Sequence, residues 1–96
     1  MKRRAVIFSP EARRDLFQLY DWIAERAGEE VALGYIERLE SYCLNFEVAP
    51  HRGRRRDDIR PGLRIVGFER RVTIAFIVEA STVFILRLYY GGQDWG

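Results

Sequence analysis

Residues 63–90 read Leu63-Arg-Ile-Val-Gly-Phe68, Glu69-Arg-Arg71, Val72-Thr-Ile-Ala-Phe-Ile-Val78, Glu79-Ala-Ser81, Thr82-Val-Phe-Ile-Leu-Arg-Leu-Tyr-Tyr90. Three runs rich in β-branched and aromatic residues are punctuated by turns at Glu69–Arg71 and Ala80-Ser81, and Gly91-Gly92 closes the last run. Such short connections can only join antiparallel neighbours, so the stretch predicts a three-stranded antiparallel meander. Strict alternation along the last strand puts Phe84, Leu86, Leu88 and Tyr90 on one face and Val83, Ile85, Arg87 and Tyr89 on the other. The charge of Arg87 marks its face as the one left uncovered.

The sequence upstream of the meander supplies the layer that covers the other face. Arg4-Ala-Val-Ile-Phe8 is a short strand ended by Ser9-Pro10-Glu11, the signature of a helix start: a side-chain cap, a proline where no amide is needed, and an acid at the positive pole. Ala12, Leu16, Leu19, Tyr20, Ile23 and Ala27 then recur at helical spacing, with Arg14, Gln18, Asp21 and Glu25 opposite. Gly28 is placed to stop this helix. A second stripe, Ala32, Tyr35, Ile36, Leu39, Cys43 and Phe46, runs to about Val48 before Pro50. The short link predicts an antiparallel helix hairpin. Residues 50–62 have loop chemistry throughout. The expectation is an α+β two-layer fold, a single domain over 1–96, ordered strand, helix, helix and three strands.

Composition narrows the functions. A chain of 96 residues with 48% hydrophobic residues can bury a core in one domain. The apolar run Val72–Val78 is too short for a membrane span and Ala5–Phe8 too short for a secretory signal, so no membrane association is expected. One cysteine, Cys43, excludes a disulfide framework, and a reducing cytoplasm is the expected compartment. The net charge of +2 conceals a strong segregation. Residues 11–49 hold nine acids against four arginines, whereas residues 50–71 hold eight arginines against three acids. Fifteen of the sixteen basic residues are arginine, which favours bidentate contacts to carboxylate or phosphate. An acidic partner is implied, protein or nucleic acid.

Candidate chemistry is sparse. Cys43 and His51 are conceivable as a nucleophile pair, but a packed cysteine and a loop histidine are the stronger reading. Asp57-Asp58 lacks a third ligand and sits among arginines, so ion pairing is favoured over a metal site. No cofactor motif is present. Two readings of Arg52, Arg54, Arg55 and Arg56 stand level: a grip for an acidic peptide or phosphate backbone, or a loop neutralised by its own acids. Phe17, Trp22, Leu33 and Leu44 flank the hairpin stripes as ordinary core periphery or as a partner-binding groove.

Read together, Ser9-Pro10-Glu11-Ala12, Asp15-Leu16, Tyr20-Asp21-Trp22-Ile23, Pro50-His51-Arg52-Gly53-Arg54, Ile59-Arg60-Pro61-Gly62-Leu63-Arg64 and Leu86-Arg87-Leu88-Tyr89-Tyr90-Gly91-Gly92-Gln93-Asp94-Trp95 resemble ParE toxins of the RelE/ParE superfamily. The resemblance spans the chain in order and implies the strand–hairpin–meander fold. It also implies a type II toxin that inhibits DNA gyrase by binding, with DNA damage and growth arrest, and a ParD-like antitoxin. That antitoxin is expected to dimerise and bind operator DNA through a ribbon–helix–helix half, and to lay a largely helical C-terminal segment on the toxin in equal numbers. RelE-like members, by contrast, are ribosome-dependent messenger-RNA nucleases. Of the basic positions they use on the sheet, Arg64 matches one, while the others fall on Val66, Thr73 and Gln93. Their late tyrosine has no counterpart before Gly96, and Tyr89 and Tyr90 precede the glycine turn. Cleavage needs a base, an acid and charge for the phosphorane, so a non-enzymatic toxin is expected. The alternatives are a ribosome-dependent endoribonuclease and a non-toxic antitoxin-binding module. The expected target contacts are Arg64, Arg87, Arg54, Arg55 and Arg56 with Asp94 and Trp95 nearby. The expected antitoxin contacts are Phe17, Trp22, Leu33 and Leu44 with Arg52 and Arg54. If Arg87 has only a structural role, the sequence offers Asp94 or Glu69 as its partner.

Overall fold

A computed structural model describes residues 3–90. The chain runs β1 (Ala5–Phe8), α1 (Pro10–Ala27), α2 (Glu29–Leu44), a single 3-10 turn (Asn45–Glu47), β2 (Arg54–Arg55), β3 (Leu63–Phe68), β4 (Val72–Val78) and β5 (Thr82–Tyr90). The sheet order is β1-β5-β4-β3-β2, with β1 parallel to β5 and every other pair antiparallel. The two-layer α+β expectation and the meander hold. Two boundaries differ. The second helix ends at Leu44 and tightens into the 3-10 turn that buries Phe46, where a continued helix was expected to Val48. The stretch 50–62 is not loop throughout, because Arg54 and Arg55 pair with Ile65 and Arg64 as an edge strand.

Local chemistry accounts for the elements. Ser9 caps α1 by accepting the Ala12 amide at 2.9 Å, with Pro10 in the first turn. Gly28 turns the chain at φ 97 while its own N–H closes α1 on the Ala24 carbonyl. The helices cover one sheet face, burying Leu19, Tyr35, Leu39 and Phe46 against Ile74, Phe76, Val83, Ile85 and Leu88. On the other face a small cluster of Leu63, Ile65 and Ala75 is flanked by Ile77, Leu86 and Tyr89.

The alternation expected for β5 fails at its middle. Phe76 faces Ile85 but Ala75 faces Arg87, which leaves Leu86 as the extra residue of a β-bulge. The bulge shifts the phase by one, so the covered face takes Val83 and Ile85 before it and Leu88 and Tyr90 after it. Val83 and Ile85 therefore lie in the core, and of the four residues expected on the uncovered face only Arg87, opposite Ala75, and Tyr89 are on the side away from the helices.

Candidate functional site

The bulge occurs where β5 loses a neighbour. β1 pairs only with Thr82–Ile85, so from Leu86 onward the outer edge of β5 has no strand beside it among the described residues. The start of α1 takes over. The Ser9 N–H donates to the Ile85 carbonyl at 2.9 Å, and the Ser9 hydroxyl to the Leu86 carbonyl at 2.8 Å. Asp15, 5% exposed, accepts the Leu88 N–H at 2.9 Å and both arms of the Arg87 guanidinium at 2.8 and 3.1 Å. One carboxylate thus replaces a missing strand and holds a cation at the sheet edge, where Arg87 also lies over the Tyr89 ring at 5.1 Å. The Asp15 hydrogen bonds hold the Arg87 guanidinium above its ordinary value. Of the partners anticipated for Arg87, Glu69 is instead held by Arg38 at 2.9 and 3.0 Å, and Asp94 lies outside the described residues. The sequence names Asp15 within a motif but not as the partner of Arg87; a charged residue on the apolar Ala12–Leu19 stripe is the signal that points to that role.

The basic segment is organised by its own acids. Arg56 makes a two-pronged pair with Asp58 at 2.9 and 2.8 Å, and Arg55 pairs with Asp57 at 3.1 Å. Asp57 also accepts the Gly62 N–H, which with Arg55 holds it below the usual carboxylate range, and Arg56 does the same for Asp58. The ion-pair reading of Asp57-Asp58 is borne out. Arg52 lies over the rings of Tyr42 and Phe46 at 5.3 and 5.5 Å and donates to the Ala49 carbonyl. Arg64 alternates with Val66 and Phe68 on the helix-facing side of β3, and a guanidinium nitrogen reaches the Arg52 carbonyl at 3.5 Å. Arg54 makes no ion pair with a carboxylate among the described residues. Arg64 lies on the helix-facing side of β3 between Arg55 and Phe76, whereas Arg87 sits on β5 against Asp15.

Apolar surface is concentrated on the outside of the helix hairpin. Phe17 (75% exposed) and Leu33 (53%) share a depression with Leu16, Tyr20 and Ile36, bounded by Arg13 and Glu40. Leu44 (55%) lies three helical turns beyond Leu33 on the same side of α2. Trp22 does not join them; it packs on Tyr90 at 5.6 Å beneath Arg26 and lines a separate pocket.

Cys43 is fully buried, and burial first, then the Glu40 charge, pushes its thiol up to about 12. Val66 and Thr73 line a shallow depression with Gly53, Arg54, Ile65 and Gly67, in which Arg54 is the one ionisable side chain. No cluster of metal-ligating residues occurs among the described residues. No helix among them is long and apolar enough to cross a membrane.

Comparison with known proteins decides the family. The model of the ParE toxin of the parDE type II toxin–antitoxin system matches residues 6–95. The chain belongs to the ParE toxin family. Toxin ParE3 of Caulobacter vibrioides is 31% identical over 80 residues, 83% of this chain and 79% of that protein. A chain of the chromosomal ParDE toxin–antitoxin system of P. aeruginosa superposes with a TM-score of 0.80 at 24% identity, covering 92% of this chain and 96% of its own. One from the toxin–antitoxin complex RelBE2 of Mycobacterium tuberculosis gives 0.67 at 20%, covering 97% of both. These two structures share the fold of the ParE toxin described here: two helices on a five-stranded mixed sheet.

Proposed function

We propose that this ParE-family toxin inhibits DNA gyrase by binding it, catalyses no reaction itself, and is neutralised in the cytoplasm by a ParD-like antitoxin. The carrying observation is the family match over residues 6–95, together with a sheet depression that pairs Val66 and Thr73 with a single arginine. Phosphodiester cleavage requires a proton acceptor, a proton donor and phosphorane stabilisation, and one guanidinium cannot serve all three.

The antitoxin's C-terminal helix lies along the hairpin. Its apolar side covers the Phe17–Leu33 depression and Leu44, and its acids reach the basic segment through Arg54 and Arg52. A helix of ~20 residues spans ~30 Å, which fits a domain measuring 39 × 30 × 22 Å. Free, such a segment is disordered and it folds on binding, which keeps it open to proteolysis. The antitoxin's ribbon–helix–helix half dimerises, so the assembly holds equal numbers of the two proteins and touches operator DNA only through the antitoxin. Target contact is assigned to the basic edge, Arg54, Arg55, Arg56 and Arg64, and to the Arg87 edge from which Asp94 and Trp95 follow.

Induced expression tests the reading. Filamentous cells with gyrase-cleaved DNA, rescued by co-expressing the antitoxin, are expected. Rapid transcript cleavage with intact supercoiling supports the endoribonuclease instead, and normal growth a module that retains only antitoxin binding.

A further inference from the structure

A second pocket, away from the hairpin groove and the basic segment, has the chemistry of an anion site. It is a cavity of about 220 Å³ between the closed end of the hairpin and the turn joining β3 to β4, lined by Trp22, Ile23, Arg26, Ala27, Val31, Tyr35 and Arg71. Its walls are apolar and aromatic, and among the described residues its only charged linings are two arginines. Arg26 is held over the Trp22 ring at 4.2 Å and donates to the Trp22 carbonyl at 2.9 Å. Arg71 has no carboxylate partner among the described residues. Glu69, the nearest acid on the turn, is already occupied by both arms of Arg38.

Tyr35 supplies the independent observation. It is 6% exposed, and its hydroxyl is the one buried side-chain polar atom among the described residues with no hydrogen-bond partner. A buried hydroxyl without a partner is costly, so a group that accepts or donates there is favoured. Burial and the Glu69 charge raise the phenol, which keeps it a proton donor, while the Arg71 and Arg38 charges act in the opposite direction. The turn itself is strained. Glu69 and Arg70 both adopt left-handed backbone, φ 47 and 62, at positions that favour Asn or Gly, and this turn sets where Arg71 stands.

We infer that this pocket is a binding site for a small apolar carboxylate, its body against Trp22 and Val31 and its carboxylate among Arg26, Arg71 and the Tyr35 hydroxyl. Two guanidiniums and a phenol are the kinds of donor a carboxylate accepts from, and the aromatic wall favours an organic body over a bare inorganic anion.

Phenylacetate titrated into the isotope-labelled full chain tests this, with phenylacetamide and inorganic phosphate as comparison ligands. Amide shifts are expected at Trp22, Arg26, Val31, Tyr35 and Arg71, with a Kd on the order of millimolar and at least about tenfold weaker binding of the uncharged amide. Tyr35→Phe removes one unpartnered hydroxyl, so it is expected to raise the Tm of the free chain while weakening phenylacetate about threefold or more. Arg71→Gln is expected to erase the preference for acid over amide. Equal binding of acid and amide, the same shifts with phosphate alone, absence of shifts at these residues, or a Tyr35→Phe chain that binds like the parent would each overturn the assignment.

Discussion

Asp15 is the residue on which the sheet edge depends. Its carboxylate accepts three hydrogen bonds, two from Arg87 and one from the backbone of Leu88, in a nearly solvent-free position. Asp15→Ala is expected to destabilise the fold by about 2–4 kcal/mol, because it leaves an edge amide and a half-exposed guanidinium without their acceptor. Arg87→Ala should cost about half as much, since Asp15 keeps the Leu88 amide and its carboxylate can partly rehydrate. Urea unfolding of both variants measures this, and equal or negligible losses would contradict the edge-cap role. The same pair defines what the sequence could tell. Arg87 was legible as an anomaly in an apolar strand, but period-two reasoning cannot register a bulge, and one extra residue moved Val83 and Ile85 from the expected open face into the core. The buried aspartate seventy-two positions away was the missing half of the explanation.

At the scale of elements, the helices, β3, β4 and β5 follow their apolar periodicities, whereas β2 does not announce itself. Two arginines with no hydrophobic face carry no strand signal, and their pairing is imposed by the chain around them. Gly53 is the hinge of that pairing: it sits at φ 76, and a Cβ there would stand 2.1 Å from the Ile65 carbonyl oxygen. Gly53→Ala is therefore expected to detach β2 from β3 and speed amide exchange along the Arg64–Ile65 edge. Gly62→Ala also needs a positive φ, 82, but meets nothing within 4 Å, so it should cost only about 1 kcal/mol and leave exchange in β3 unchanged. The helix hairpin carries a separate expectation. Leu33→Ser with Leu44→Ser should weaken antitoxin binding by on the order of a hundredfold, while the fold survives because both side chains are more than half exposed. Arg54→Glu is the cleanest charge test, since Arg55 and Arg56 already hold Asp57 and Asp58 and their reversal would also disrupt the loop. Titration calorimetry of folded variants decides it; parent-like affinity in both would remove the hairpin and the basic segment from the antitoxin interface.

For the whole molecule, the dominant property is charge separation between an acidic hairpin and an arginine-rich segment, which was fully legible in the sequence. Its partner contacts should accordingly weaken with ionic strength. Acid should also loosen the fold. Glu69, Asp57 and Asp58 are held below their ordinary values of 4.5, 3.8 and 3.8, by Arg38, by the Gly62 amide with Arg55, and by Arg56. Each contributes fully while pH stays above its ordinary value, and the contribution disappears as pH falls through the lower folded value. The Tm is expected to hold steady above about pH 5 and to fall below about pH 4, with a shallower acid slope in Glu69→Gln. The proposed target contact was less legible, because which arginines the fold leaves available depends on pairing to Asp15, Asp57 and Asp58, a tertiary fact. The most direct measurement of the central claim is a supercoiling and cleavage assay with purified gyrase, repeated with equimolar antitoxin, alongside a translating-ribosome assay for message cleavage. Inhibition of gyrase by binding predicts loss of supercoiling with trapped cleaved DNA, reversal by the antitoxin, and intact message. Unaffected gyrase together with cut transcripts would contradict it.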